Sequence, residues 1–124
     1  MAELARPLSV TFNRAFDVTP DLAAALEDVM RSGADRVLTS GGKATAIEGL
    51  DVIAQLVSQS AGRVGILACG TVRAENVAEV VEKTGVREVH ARLDSAVPDR
   101  GDRGALVRVE TVIQLLRAVD NIRA

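Results

Sequence analysis

A short apolar run returns along this chain at a nearly constant interval. The runs are Ser9 to Phe12, Arg36 to Thr39, Val64 to Ala68 and Glu88 to Ala91. Val10, Val37, Val64 and Val89 mark them at spacings of 27, 27 and 25 residues. Short runs rich in Val, Leu and Ile, bounded by polar residues, read as strands buried on both faces. An interval of this length is too long for a hairpin and suits a strand, loop, helix, loop unit. The chain therefore reads as an α/β protein of pattern (βα)4 with parallel strands.

The intervening segments carry helical periodicity. Pro20 to Arg31 starts with Thr19 as N-cap and Pro20 in the first helical position, and Leu22, Ala25, Leu26, Val29 and Met30 line one face. Ser32-Gly33 ends it with a left-handed cap. Ala46 to Ser58, Ala74 to Lys83 and Leu106 to Ile122 are the other expected helices. Asp94 to Gly104 is charged and Gly-rich with a single Pro, and is expected to be a mobile loop. Met1 to Arg6 reads as the tail of a preceding helix, so residues 1–124 are expected to form one domain.

Two architectures satisfy (βα)4. An open doubly wound sheet would bury four strands between layers of helices, whereas four equal units are also half of a TIM-type (β/α)8 barrel. The even spacing and short helices favour the half-barrel. Such a half exposes two sheet edges and its inner face, and exposed edges invite pairing. The expectation is a homodimer that closes the barrel about a two-fold axis, or a missing N-terminal half.

Composition narrows the function classes. Formal net charge is −2 and only 2% of residues are aromatic, both Phe. This gives neither the basic footprint of a nucleic-acid protein nor the stacking platform of a single-strand binder. No apolar run approaches the ~18 residues of a membrane span, and no signal segment is recognisable. Cys69 is the single cysteine, which excludes an internal disulfide or a cysteine-rich zinc site and suits a cytoplasmic setting.

Ligands of parallel α/β proteins sit where strands end at their C-termini. Those ends carry Asn13, Arg14 and Asp17; Thr39, Ser40 and Gly41; Cys69, Gly70, Thr71 and Arg73; and His90 and Arg92. Arg14 and Asp17 read either as ligand contacts or as an ion pair that orders the loop. Ser40 and Gly41, with Lys43 nearby, read either as an anion-receiving turn or as a tight turn that needs glycine. Gly70, Thr71 and Arg73, just ahead of a helix, have the parts of an anion pocket. That pocket is the basis of an alternative reading as a phosphate-binding barrel protein with enzymatic activity. Cys69 and His90 end adjacent strands and together supply two donors for Cu(I) or zinc, an incomplete set. No paired carboxylates, Ser-His-Asp set or phosphate loop is present, so no catalytic constellation is assembled and no enzyme is expected.

The wording of these strand ends resembles the CutC family, named for copper homeostasis. The matching segments are Thr11 to Asp17, Arg36 to Gly41, Ala46 to Leu50, Gly70 to Asn76 and Glu88 to His90. Together they correspond to the C-terminal half of such a protein. The resemblance implies an eight-stranded barrel, a cytoplasmic location, a role in copper handling or tolerance, and copper as a ligand. This chain departs from the pattern at Asn13, where the family has histidine, and at Cys69, where it has glycine. The cysteines proposed as copper ligands in the family lie in the half with no counterpart here.

Overall fold

Each apolar run becomes a parallel strand, and each periodic segment a helix that follows it. The structure, a computed structural model, describes residues 7–92 and 109–123. Its elements are β1 (Thr11–Phe12), a 3-10 turn (Arg14–Val18), α1 (Leu22–Ser32), β2 (Arg36–Thr39), α2 (Leu50–Ser60), β3 (Gly65–Ala68), α3 (Val77–Thr84), β4 (Glu88–Val89) and α4 (Val109–Arg123). The expected loop at 94–104 and the N-terminal tail at 1–6 lie outside the described residues.

Helices α1, α2 and α3 start later than periodicity predicts, and groups near each of these starts are used in the preceding turn or loop. Thr19 does not cap α1. Its hydroxyl donates to Phe16 O at 2.8 Å and closes the 3-10 turn. The cap is Asp21, which accepts from Ala24 N at 3.1 Å. Ala46 does not begin α2 either; its N–H donates to Gly70 O, 2.9 Å away in the next loop. The segment 45–49 is instead a turn in which Thr45 Oγ1 accepts from Glu48 N at 3.2 Å. Likewise α3 begins at Val77 because Asn76 folds back to accept from Arg73 N at 2.8 Å. Gly33 and Gly85 cap α1 and α3 in the left-handed region.

The sheet order is β1-β2-β3-β4, all parallel. A doubly wound sheet reverses direction at a switch point, and this one never does. Neighbouring helices pack on one another in chain order, α1 on α2, α2 on α3 and α3 on α4. This is the single-direction winding of a (β/α)8 barrel carried through four units.

Side chains alternate across the sheet. Val37, Thr39, Ile66 and Ala68 face the helices and are buried, whereas Arg36, Leu38, Gly65 and Leu67 face the other side and are partly open. The core between sheet and helices is aliphatic, built on Leu26, Val29, Ile53, Leu56, Val77 and Val80, with Phe16 of the 3-10 turn fully buried in it. On the open, concave face Arg36 Nε donates to both carboxylate oxygens of Glu88 at 3.1 Å, crossing β3.

Candidate functional site at the C-terminal strand ends

The end of β2 and the turn after β1 are joined through one carboxylate. Asp17 Oδ1 accepts from the Thr39 hydroxyl at 2.5 Å and from Gly42 N at 3.2 Å. Asp17 Oδ2 accepts from Ser40 N at 3.0 Å and from Arg14 Nε at 3.1 Å. The carboxylate is 7% exposed. Burial pushes its pKa up, but the donors from Thr39, Ser40, Arg14 and Gly42 outweigh that and hold it below the usual carboxylate value. Asp17 is therefore an anion fixed by its own protein, and it does not carry a proton near neutral pH.

Arg14 extends the network. Its Nη2 donates to Ser40 Oγ at 2.7 Å and to Lys43 O at 3.2 Å, while one flank of the side chain stays open to solvent. Ser40 Oγ lies 2.5 Å from Lys43 O, to which it donates its proton. The backbone of the turn is held by Gly41 N, which donates to Thr39 Oγ1 at 2.9 Å.

Gly49 explains why this turn and the start of α2 can meet. A Cβ on Gly49 would lie 1.9 Å from Ser40 O, so only glycine lets the helix entrance rest on the β2 carboxyl end. Gly49 lies in the Ala46 to Leu50 segment that carries the resemblance, but it was not among the site residues expected from sequence. The signal was a helix entered through glycine, where Ser, Thr, Asp or Asn would supply a side-chain cap.

Of the residues expected from sequence, Arg14, Asp17, Ser40 and Gly41 are thus brought into one hydrogen-bonded unit. Gly70 adjoins it, since a Cβ there would lie 3.1 Å from Ser40 Cβ. Thr71 and Arg73 belong to the neighbouring turn, which Asn76 closes by donating from Nδ2 to Thr71 O at 2.8 Å. Arg73 Nη1 donates to Val72 O at 2.9 Å.

Cys69 and His90 sit at the ends of β3 and β4. Cys69 N donates to Thr39 O at 3.0 Å and His90 N to Ala68 O at 2.8 Å, so both continue the parallel ladder. Cys69 is buried and His90 exposed. Burial raises the Cys69 thiol to about 11, with Arg14 acting against and Asp17 with the shift. The thiol is protonated at neutral pH. Among the described residues no group of three or more His, Cys, Asp or Glu side chains could hold a metal ion. Among the same residues no helix is long and apolar enough to cross a membrane.

Comparison with known proteins places this arrangement. The CutC family profile matches residues 1–95. A CutC family protein of Caulobacter vibrioides is 44% identical over 106 residues, covering 86% of this chain and 43% of that protein. One from Mesorhizobium japonicum is 49% identical over 98 residues, covering 79% of this chain and 38% of its own length. The chain spans about half the length of the curated relatives it matches. Among solved structures, the CutC protein of Streptococcus agalactiae, named for copper homeostasis, superposes with a TM-score of 0.66 at 30% identity. That match covers 71% of this chain and 44% of the other. The four-unit sheet is half of a TIM-type barrel.

Proposed function

Because the chain belongs to the CutC family, we propose that it serves copper homeostasis in the cytoplasm as a non-enzymatic half-barrel. In this reading it acts once its barrel is completed, by a second copy or by an N-terminal half. Copper is its cargo, and Cys69 and His90 are the donors this chain contributes.

The observation that carries the reading is the placement of Cys69 and His90 at adjacent strand ends. A thiol and an imidazole suit Cu(I). Two donors do not complete a site, and the Cys69 proton, held to about 11, must leave before the sulfur binds metal. The isolated chain therefore binds Cu(I) weakly. The non-enzymatic part rests on Asp17, the one carboxylate of the assembled network. Its lone pairs are taken by donors of its own protein, which order the strand ends and compete with any substrate proton.

Competition for Cu(I) against a chromophoric chelator tests this. The expected outcome is weak one-to-one transfer of copper to the wild-type chain, abolished in Cys69→Ala. Copper binding that survives Cys69→Ala, or a wild-type chain that takes none, overturns the assignment.

A further inference from the structure

The large apolar side chains left in solvent occupy only two places among the described residues. Leu8, Phe12 and Val18 lie in the first strand and its flanks, and Ile113 and Leu116 lie on α4. These are the two ends of the half-barrel. The central units expose none.

The repeat itself explains each exposure. Phe12, Val37 and Ile66 occupy one register row on the helix-facing side of the sheet. Val37 is 0% exposed and Ile66 6%, because helices cover the outer side of their strands. Phe12 is 40% exposed, since β1 has α1 after it and no described helix before it. At the other end, Val119 and Ile122 of α4 face Val77, Val81 and Val89 of α3 and β4. Leu116 and Ile113 continue that apolar stripe around the helix and are 58% and 40% exposed. They lie around the helix from the face formed by Leu115, Ala118, Val119 and Ile122, which packs on the core. Among the described residues, one end has no helix over the outer side of β1, and at the other end α4 leaves Leu116 and Ile113 in solvent.

We infer that the occupant of these two faces is a second copy of this chain, with α4 of one copy lying over β1 of the other. The Leu116 and Ile113 side chains would then pack on Phe12 and Leu8 of the partner copy, twice, about a two-fold axis. The arrangement joins each β4 edge to the other copy's β1 edge. It gives eight parallel strands, the number at which such a barrel closes. The match covers 44% of the solved CutC chain, so the four units here correspond to about half of that chain. This inference rests on the completed-barrel part of the reading above and names its partner and its contacts.

The test is solution mass by light scattering on the wild-type chain and three variants, with circular dichroism to follow folding. The wild type is expected at twice the 13.0 kDa chain mass. Phe12→Lys and Leu116→Glu should each halve that mass while keeping the helical spectrum. The two combined should restore it, because the opposite charges then meet across the interface. A Phe12→Cys/Leu116→Cys chain in a Cys69→Ala background gives a readout independent of those variants' folding. Under oxidation it should form a covalent dimer, since the two positions lie at opposite ends of one chain. A folded wild-type monomer, a dimer indifferent to both charge variants, or oxidation without an interchain bond overturns the inference. So does a monomer that pairs one-to-one with the N-terminal half of the Caulobacter protein. Cu(I) competition on the same wild-type sample separates the two readings. Copper bound by a monomer removes the dimer and leaves the copper role, and a dimer that binds none does the reverse.

Discussion

The Thr39 hydroxyl donates to Asp17 across 2.5 Å, tying the last residue of β2 to the turn that follows β1. Thr39 is fully buried, and Asp17 reaches it from a turn anchored by Phe16, which is fully buried as well. Beyond their short ladder, the two strand ends are tied by this carboxylate and by Arg14, which donates to Ser40 Oγ and Lys43 O.

Removing that carboxylate strands its donors. Asp17→Ala leaves the Ser40 and Gly42 N–H groups and the Thr39 hydroxyl without their acceptor. The expected loss is on the order of 3 kcal/mol, read as a lower urea midpoint with an unchanged slope.

The same group gives the protein an acid-sensitive limb. Its folded pKa is depressed, so its contribution is present above the unfolded carboxylate value of about 4. It is lost as pH falls through the lower, folded value. Midpoints measured from pH 6 down to 2 should converge for wild type and Asp17→Asn at the acid end. A gap that stays constant across that range would place the stabilisation elsewhere.

Gly49 is expected to tolerate no side chain. Gly49→Ala drives a Cβ into Ser40 O, and relief requires α2 to move off the β2 end. Overpacking of this kind destabilises by about 1–3 kcal/mol or more. Thermal melts should show the loss, whereas Gly62→Ala, where a Cβ meets nothing within 4 Å, should lose less through its positive φ alone.

Cys69 should behave as a protected thiol. Its pKa of about 11 lies above the unfolded value of about 8.5, so the stability from its protonated form is complete below pH ~8.5. It is lost as pH rises toward 11. Alkylation by iodoacetamide at pH 8 should be slow in buffer and fast in denaturant, and Cys69→Ala should flatten the alkaline limb of the stability profile. Equal alkylation rates in both conditions would contradict the burial.

The Arg36–Glu88 pair is expected to contribute little in an open half-barrel. The two side chains are 34% and 47% exposed, and solvent-screened pairs couple by about 1 kcal/mol or less. A double-mutant cycle at low protein concentration should return a value in that range that shrinks in 1 M salt. In the proposed two-copy barrel this face would lose its water, and the coupling should then rise with protein concentration.

The strand positions, the parallel winding and the cluster of polar strand ends were legible in the chain, because burial on both faces imposes unbroken apolar runs at a fixed spacing. Helix starts were less legible. Thr19 reads as a cap and Ala46 and Ala74 as helix starts, yet Thr19, Thr45 and Asn76 spend their side-chain hydrogen bonds within turns or loops. The union of Arg14, Asp17 and Ser40 was visible only as two candidate pairs on separate strands.

By itself the sequence determined the period, the (βα)4 order and the family likeness, since these follow from local apolar patterning and residue wording. Only the tertiary structure decided that Asp17 is the shared acceptor of two strand ends and that Gly49 rests on Ser40. It also placed Phe12 and Leu116 at the open ends of the sheet. Those facts depend on which segments meet, and residues some 25 positions apart come together only once the strands have taken their places side by side.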